Sequence, residues 1–499
     1  MPSKFLRIFR PFTRIMPEAK APDREVSFKE KLIWTAVILV IYLIMSNIPL
    51  YGIDQSQSVD YFYWMRVILA SQRGRLTEFG IGPIVTAGLV MQLLVGSKII
   101  NVDMTDPVER GLFSGVQKVM AVLLTIAQAI AYLLGGAFGE NLTTAVSILI
   151  FVQLLFATMI LMLMDEMIQK GWGLGSGVSL FIGANVAGQI IYNAFSFFPD
   201  PNATEGSAAY GAIIAFFQSL LTDRIDVFSA FFREASQPDM LGVITTIIIF
   251  LIVVWFESMR IEIPLSYKGY SGFKGKYPMK LMYVSNIPVI LSQALYANIL
   301  FFAQLLAGPN SGARAGWGSG GAGEIFLNII GTFREAEGGG QQLIPVSGLA
   351  YYLTPPQGIS SLIYGEFGTG EWWDVIIHAV VYLLIFTSLC VVLGKIWIEV
   401  SGLAPRDIAR QILGSKMQID GFRSSEKVIE KILARYIPTL TVINGILVAV
   451  LSFGADFLGA LGSGTGLLLL VGIMQNFAET IAKEAASEQY PTLAGFMGK

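Results

Sequence analysis

Ten apolar stretches without a single Asp, Glu, Lys or Arg run through this chain, at residues 32 to 48, 79 to 96, 119 to 136, 143 to 164, 173 to 194, 240 to 256, 281 to 306, 375 to 394, 437 to 453 and 457 to 477. About 20 such residues in a helix cross a bilayer core. In hydrocarbon every backbone N–H and C=O must be paired within the segment, so helices are the expected structure. The composition agrees, with 54% of 499 residues hydrophobic and 14% charged, a balance foreign to a water-soluble chain. Basic and acidic residues nearly cancel, 34 against 36, so no global charge recruits nucleic acid. A single Cys390 rules out internal disulfides and Cys-based zinc or iron–sulfur sites. A single His378 rules out multi-His metal sites, and it has no evident acid or nucleophile partner at membrane depth. A structural role is expected for it, and no metal, cofactor or catalytic residue is predicted.

Placement of the basic residues sets the orientation. Alternate connections starting from the N-terminal segment hold 27 of the 34 Lys and Arg, and the other face holds seven. Excess Lys and Arg mark the cytosolic side, so both termini are expected in the cytosol. The first apolar run begins after some thirty polar, basic residues and nine more runs follow it, a pattern unlike a cleaved signal peptide.

Three long connections remain, all on the non-cytosolic face: 49 to 78, 195 to 239 and 307 to 374. The first contains the amphipathic stretch Tyr61 to Leu69, too short to cross, which must lie at the interface or fold back into the protein. The second holds an apolar run from Ala212 to Leu221, and the third is Gly-rich with Pro355-Pro356 and reads as mostly irregular. Five spans precede residues 195 to 239 and five follow, so the two halves have opposite topology, as an inverted repeat requires. Leu174-Gly175-Ser176-Gly177 and Leu461-Gly462-Ser463-Gly464 occupy the fifth span of each half, and Pro83 and Pro288 fall within the second of each. Interrupted helices at matching places point to a central pathway. The predicted fold is an all-α polytopic membrane protein, organised as an N-terminal half 1–194, an external hinge loop 195–239 and a C-terminal half 240–499. Gly171 to Gly177 lacks the Lys-Ser/Thr ending of a phosphate loop, and small residues let membrane helices pack closely.

Two cytosolic connections are longer than turns and interleave basic residues with Tyr and Phe. One runs from Arg260 through Lys268, Lys274 and Lys276 to Lys280, and the other from Ser401 through Arg406, Arg410, Lys416 and Arg423 to Lys427. Topology alone accounts for positive loops, but such loops can also meet RNA phosphate or an acidic protein surface.

The residues Gly80-Ile81-Gly82-Pro83-Ile84-Val85-Thr86-Ala87-Gly88, Gln92-Leu93-Leu94-Val95-Gly96-Ser97, Lys276-Tyr277-Pro278 and Tyr283-Val284-Ser285-Asn286-Ile287-Pro288-Val289-Ile290-Leu291, with both Leu-Gly-Ser-Gly motifs, resemble the SecY subunit of protein-conducting channels, in its archaeal and eukaryotic form. The resemblance spans nearly the whole chain and is weakest at 195 to 239 and 307 to 374. It implies ten helices in two inverted halves closing around a pore, with a short plug helix. The pore ring it implies is Ile81, Val85, Val178, Ile182, Ile290 and Leu469. Ile81 and Val85 are four apart, as are Val178 and Ile182, so each pair shares a helical face. The implied plug lies near 59–70 and includes Tyr61, Phe62, Trp64, Arg66, Val67 and Leu69. The implied lateral gate involves Thr86, Gln92, Gln128 and Asn298, where Gln128 replaces a Glu of relatives. Ribosome or partner docking falls on Lys268, Lys274, Lys276, Arg406, Lys416 and Arg423.

The family further implies SecE/gamma-type and beta-type single-helix subunits, a ribosome on the cytosolic face, signal sequences and nascent chains as clients, and an archaeal cell membrane as the setting. Function is then expected to be passive conduction of unfolded polypeptides, with sideways release of transmembrane segments into lipid. A secondary transporter is the rival, since five-plus-five inverted repeats occur there too. Coupled transport usually places ionisable groups inside the membrane, and the ten stretches have none beyond His378.

Overall fold

The computed structural model describes residues 4–24, 26–53, 66, 69–97, 99–100, 102, 107–138, 142–198, 209–222, 231–233, 237–267, 274–307, 322–335, 343–356, 372–415, 417–422 and 425–489. Each apolar stretch becomes one helix. In chain order the helices are α1 (Lys4–Thr13), α2 (Phe28–Met45), α3 (Gly82–Gly96), α4 (Pro107–Leu134), α5 (Thr144–Met167), α6 (Gly177–Phe195), α7 (Ala212–Thr222), α8 (Met240–Ser258), α9 (Ile287–Ala307), α10 (Ala322–Ile330), α11 (Leu349–Leu353), α12 (Trp372–Val400), α13 (Pro405–Gly414), α14 (Glu426–Phe457) and α15 (Gly464–Gln489). Eight are long and apolar enough to cross a membrane by themselves. The other two spans are α2, whose first turn carries Lys29, Glu30 and Lys31, and α3, which has only 15 residues. The N-cap Ser27 accepts from the Glu30 N–H and starts α2 where charge gives way to apolar sequence.

Two expectations are corrected. Pro83 and Pro288 do not interrupt helices: α3 begins at Gly82 and α9 at Ile287, so each proline lies in a first turn. There its missing N–H costs no intrahelical bond. The connection at 307 to 374 is not mostly irregular in its described parts, which form α10, an antiparallel pair β3 (Thr332–Glu335) with β4 (Leu343–Ser347), and α11. Tyr351 of α11 stacks on His378 with ring centroids 4.0 Å apart, and His378 Nε2–H donates to the Thr354 carbonyl at 3.0 Å. His378 thus fastens this subdomain to α12, in keeping with a structural role.

On the face shared with the N-terminal segment, β1 (Arg260–Tyr267) and β2 (Lys274–Lys280) form a hairpin, and β5 (Met417–Ile419) adds on the other edge of β1. Ile263, Leu265, Met279, Ile408, Ile412 and Leu433 bury one face of this sheet against α13 and the start of α14. The two basic connections therefore make one packed platform rather than separate loops. Below, this is called the basic face.

The repeated Leu-Gly-Ser-Gly motifs each bond to a threonine and an aspartate, the aspartate accepting one residue later in the first motif than in the second, on opposite faces of the membrane domain. In the first half the Leu174 N–H donates to Thr35 Oγ1 of α2 at 3.0 Å, and Val178 N–H donates to Asp165 Oδ1 of α5 at 3.0 Å. In the second the Leu461 N–H donates to Thr246 Oγ1 of α8 at 2.9 Å, and Gly464 N–H donates to Asp456 Oδ1 of α14 at 2.6 Å. The threonine comes from the first span of each half and the aspartate from the fourth.

Candidate functional site: waist, seam and docking face

Residues from the opening turns of three helices and the N-cap of a fourth share one apolar cluster. Ile81, at the N-cap of α3, is fully buried, as are Ile182 of α6 and Leu469 of α15. Val85, Val178 and Ile290 pack against the same apolar cluster from α3, α6 and α9. Of the six residues named for the ring, three thus belong to one buried apolar cluster and three pack against it. Branched aliphatic side chains offer water no hydrogen bond, so a constriction lined by them would shed water when empty.

Of the residues named for the plug, Tyr61, Phe62, Trp64 and Val67 lie outside the described residues. Leu69 is buried, and its carbonyl accepts from the N–H of ring residue Ile81 at 2.8 Å. Gly80 between them has φ +50°, and a Cβ there would stand 2.0 Å from the Leu69 oxygen. Only glycine permits that approach. Arg66 makes an ion pair with Glu78 at 3.2 Å, with side-chain exposures of 13% and 3%. Glu78 escaped the sequence reading because it sits one residue before an apolar run.

The seam runs where α3 and α4 face α9 and α12. At mid-depth Asn298 Nδ2 donates to Thr86 Oγ1 across it at 3.0 Å and to its own helix at Ala294 O at 2.6 Å. Gln128 and Gln92 have buried side-chain oxygens without a hydrogen-bond partner among the described residues, so neither carries a bond to the pair. Toward the basic face the contact is aliphatic, with Leu89, Leu291, Ala294 and Leu393 in one cluster. A Cβ at Gly96 would come within 2.8 Å of Ile396, so α3 lies close against α12. Toward the opposite face the contact is aromatic: Tyr132 of α4 stacks on Phe301 of α9 at 5.4 Å, with Phe79 edge-on at 5.0 Å. Sequence reasoning passed over this clasp. Tyr132 is four residues after Gln128 and Phe301 three after Asn298, so helical spacing alone puts each on the same face as a residue named for the lateral gate.

On the basic face Arg406 is exposed and lies 3.6 Å from Glu426, which also pairs with Arg410 at 2.9 Å. Lys276 is exposed on β2 and pairs with Glu262 across the hairpin. Lys274 opens β2 opposite Ser266. Lys268, Lys416 and Arg423 lie outside the described residues. Tyr277, half-buried under the hairpin, has its phenol pushed up by desolvation. Lys276 is therefore presented on a folded sheet and Arg406 on the helix packed against it, each with a carboxylate beside it.

Comparison with known proteins follows this geometry. A family model described as SecY matches residues 76–478, and one described as the plug domain of Sec61p matches residues 40–74. A solved structure described as that of a protein conducting channel shares 38% identity, covers 97% of this chain and 99% of its own, and superposes with a TM-score of 0.75. Sec61 in the canine ribosome-channel complex from the endoplasmic reticulum shows the same identity and coverage, with a TM-score of 0.72. The yeast Ssh1 complex bound to the yeast 80S ribosome shares the fold at 24% identity, over 95% of this chain and 93% of that one, with a TM-score of 0.73. Waist, seam and platform all fall within residues 76–478, and the chain belongs to the SecY family.

Proposed function

We propose that this chain is the pore-forming subunit of a protein-conducting channel, passing unfolded secretory polypeptides across the membrane and releasing transmembrane segments sideways. The observation that carries this is the waist, where six aliphatic side chains from four helices lie in or against one apolar cluster. A greasy ring closes to ions when empty and yields to a passing chain without binding any one side chain. A segment preceding it, Tyr61 to Leu69, acts as the plug, and the seam is the lateral gate. The Thr86–Asn298 bond contributes about 1 kcal/mol or less in a membrane, small enough for a hydrophobic signal to displace. The secondary-transporter reading is not favoured, because the chain matches the SecY family over residues 76–478 and the six residues named for the ring are all aliphatic.

The boundaries 1–194, 195–239 and 240–499 are the two halves and their hinge. Lys274, Lys276, Arg406 and Arg423, with Lys268 and Lys416, form a ribosome-docking face; matched relatives were solved in ribosome complexes. SecE/gamma-type and beta-type single-helix subunits clamp the halves. Both termini face the cytosol, a reading supported by the 27-to-7 partition of basic residues. Placement in an archaeal cell membrane rests on the sequence resemblance.

Replacing Ile81, Val85, Ile182 and Ile290 together with Gly should raise the resting conductance of the channel complex in planar bilayers. An unchanged closed conductance removes the ring assignment. Reversing Lys274 and Arg406 to Glu should weaken ribosome binding in a salt-dependent cosedimentation assay, and unaltered binding removes the docking assignment.

A further inference from the structure

A buried charge pair beside an uncharged waist needs a reason, and the loop it closes supplies one. Arg66 and Glu78 bracket a loop whose members bond to two different spans and to the ring. Asn185 of α6 serves it twice, donating Nδ2 to the Arg66 carbonyl at 3.3 Å and accepting from Gln72 Nε2 at 2.8 Å. Asn185 is three residues beyond ring residue Ile182, so it shares that helical face. From α2, Tyr42 donates its hydroxyl to the Ala70 carbonyl at 3.2 Å. Inside the loop Arg66 Nη1 donates to Ser71 Oγ at 3.1 Å, and Ser71 Oγ and Gly74 N–H donate to the Glu78 carbonyl and carboxylate.

We propose that Arg66, Glu78 and Asn185 are positioning residues of a latch that fixes the foot of the plug, so that plug displacement pivots at Arg66 and residues 69 to 78 stay in place. The inference rests on the plug assignment made above. Its logic is comparative. Removing one partner of a buried ion pair leaves an uncompensated charge, a far larger penalty than breaking a single interhelical bond in a membrane. A signal that competes with the Thr86–Asn298 bond does not also dismantle the foot. The chain yields before it. Because Leu69 is bonded to Ile81, a fixed foot also keeps the ring registered while the plug is away, ready for its return.

Three measurements on the intact channel complex in planar bilayers test this. Asn185→Leu and Glu78→Gln should each raise resting conductance several-fold, toward the level of a deletion of residues 58 to 65. The charge swap Arg66→Glu with Glu78→Arg should bring conductance back down relative to Arg66→Glu alone, a rescue that a merely damaged fold would not show. In proteoliposomes, Tyr42→Cys with Ala70→Cys, whose native residues are bonded at 3.2 Å, joined by a short bis-maleimide should translocate a secretory precursor as well as the same variant before joining. Loss of translocation on joining shows that the foot moves and overturns the proposal. Unchanged conductance in Asn185→Leu and Glu78→Gln, while the deletion leaks, overturns the latch and leaves the plug standing; a deletion that does not leak overturns both.

Discussion

The two Leu-Gly-Ser-Gly turns solve one problem at opposite faces of the membrane domain, and they differ in what surrounds the solution. A helix starting inside or near a bilayer exposes N–H groups that water cannot reach. Both turns meet this with a threonine from the first span and an aspartate from the fourth. At the basic face the Asp165 carboxylate also accepts from Gln169, and neighbouring Glu166 binds Lys118, Lys170 and the Ala19 N–H, tying down the N-terminal segment. At the opposite face Asp456 has no ion pair among the described residues, and Ser463 is already engaged, accepting from the Gly466 N–H. Ser176, its counterpart, makes no cap bond, and its hydroxyl bonds to the Asp165 carboxylate instead. The repeat has kept the caps and let the loops diverge, which locates the constraint in unsatisfied backbone rather than in sequence length.

That comparison can be broken in order of expected effect. Gly464→Val should abolish folded channel, because even a Cβ at 464 would lie 2.0 Å from the Ser452 carbonyl oxygen; recovery of a monodisperse complex at wild-type yield in detergent would contradict it. Asp456→Ala should follow, since it strands a buried N–H at a cost of about 1–3 kcal/mol. Asp165→Ala should cost less, toward the lower end of the usual N-cap range of about 0.5–2 kcal/mol, because Ser176 stands ready to cap. Thermal unfolding of the two variants side by side reads the ranking, and a larger loss for Asp165→Ala would reverse it. Smallest and equal should be Thr35→Val and Thr246→Val, each about 0.5 kcal/mol or less, the low end for one neutral hydrogen bond; a marked inequality in melting shift would mean the two threonines are not equivalent.

Much of this was legible in the sequence, for physical reasons. All ten spans could be read because lipid forbids any other backbone solution, and the matched motifs located the two caps without revealing them. Asp456 was missed because it falls between the runs ending at 453 and starting at 457, so a search for charge inside spans could not meet it. The platform was missed although Ile261, Ile263 and Leu265 alternate with Glu262, Pro264 and Ser266, the period of a strand. Pro264 argued against a paired strand, yet it sits where β5 has not begun: β5 pairs only with Leu265 to Tyr267, and the Pro264 carbonyl accepts from Asp420. Convergence of the six aliphatic residues was not legible from spacing, which fixes faces of single helices but not which helices meet. Only the family resemblance brought them together.

One helix deserves a mechanical description. Proline-free α12 runs from Trp372 to Val400, about 44 Å at the usual rise, and it touches three regions in turn. His378 near one end is held by the β3–β4 subdomain, Leu393 and Ile396 press on the seam, and Ile398 near the other end is buried in the platform. A rod gripped at both ends and bearing on a joint between them behaves as a lever with its load beside the joint. A shift of the platform, or of the far subdomain, would bear through this one helix on the same contact with α3. Two faces of the membrane domain then share one handle on one helix contact.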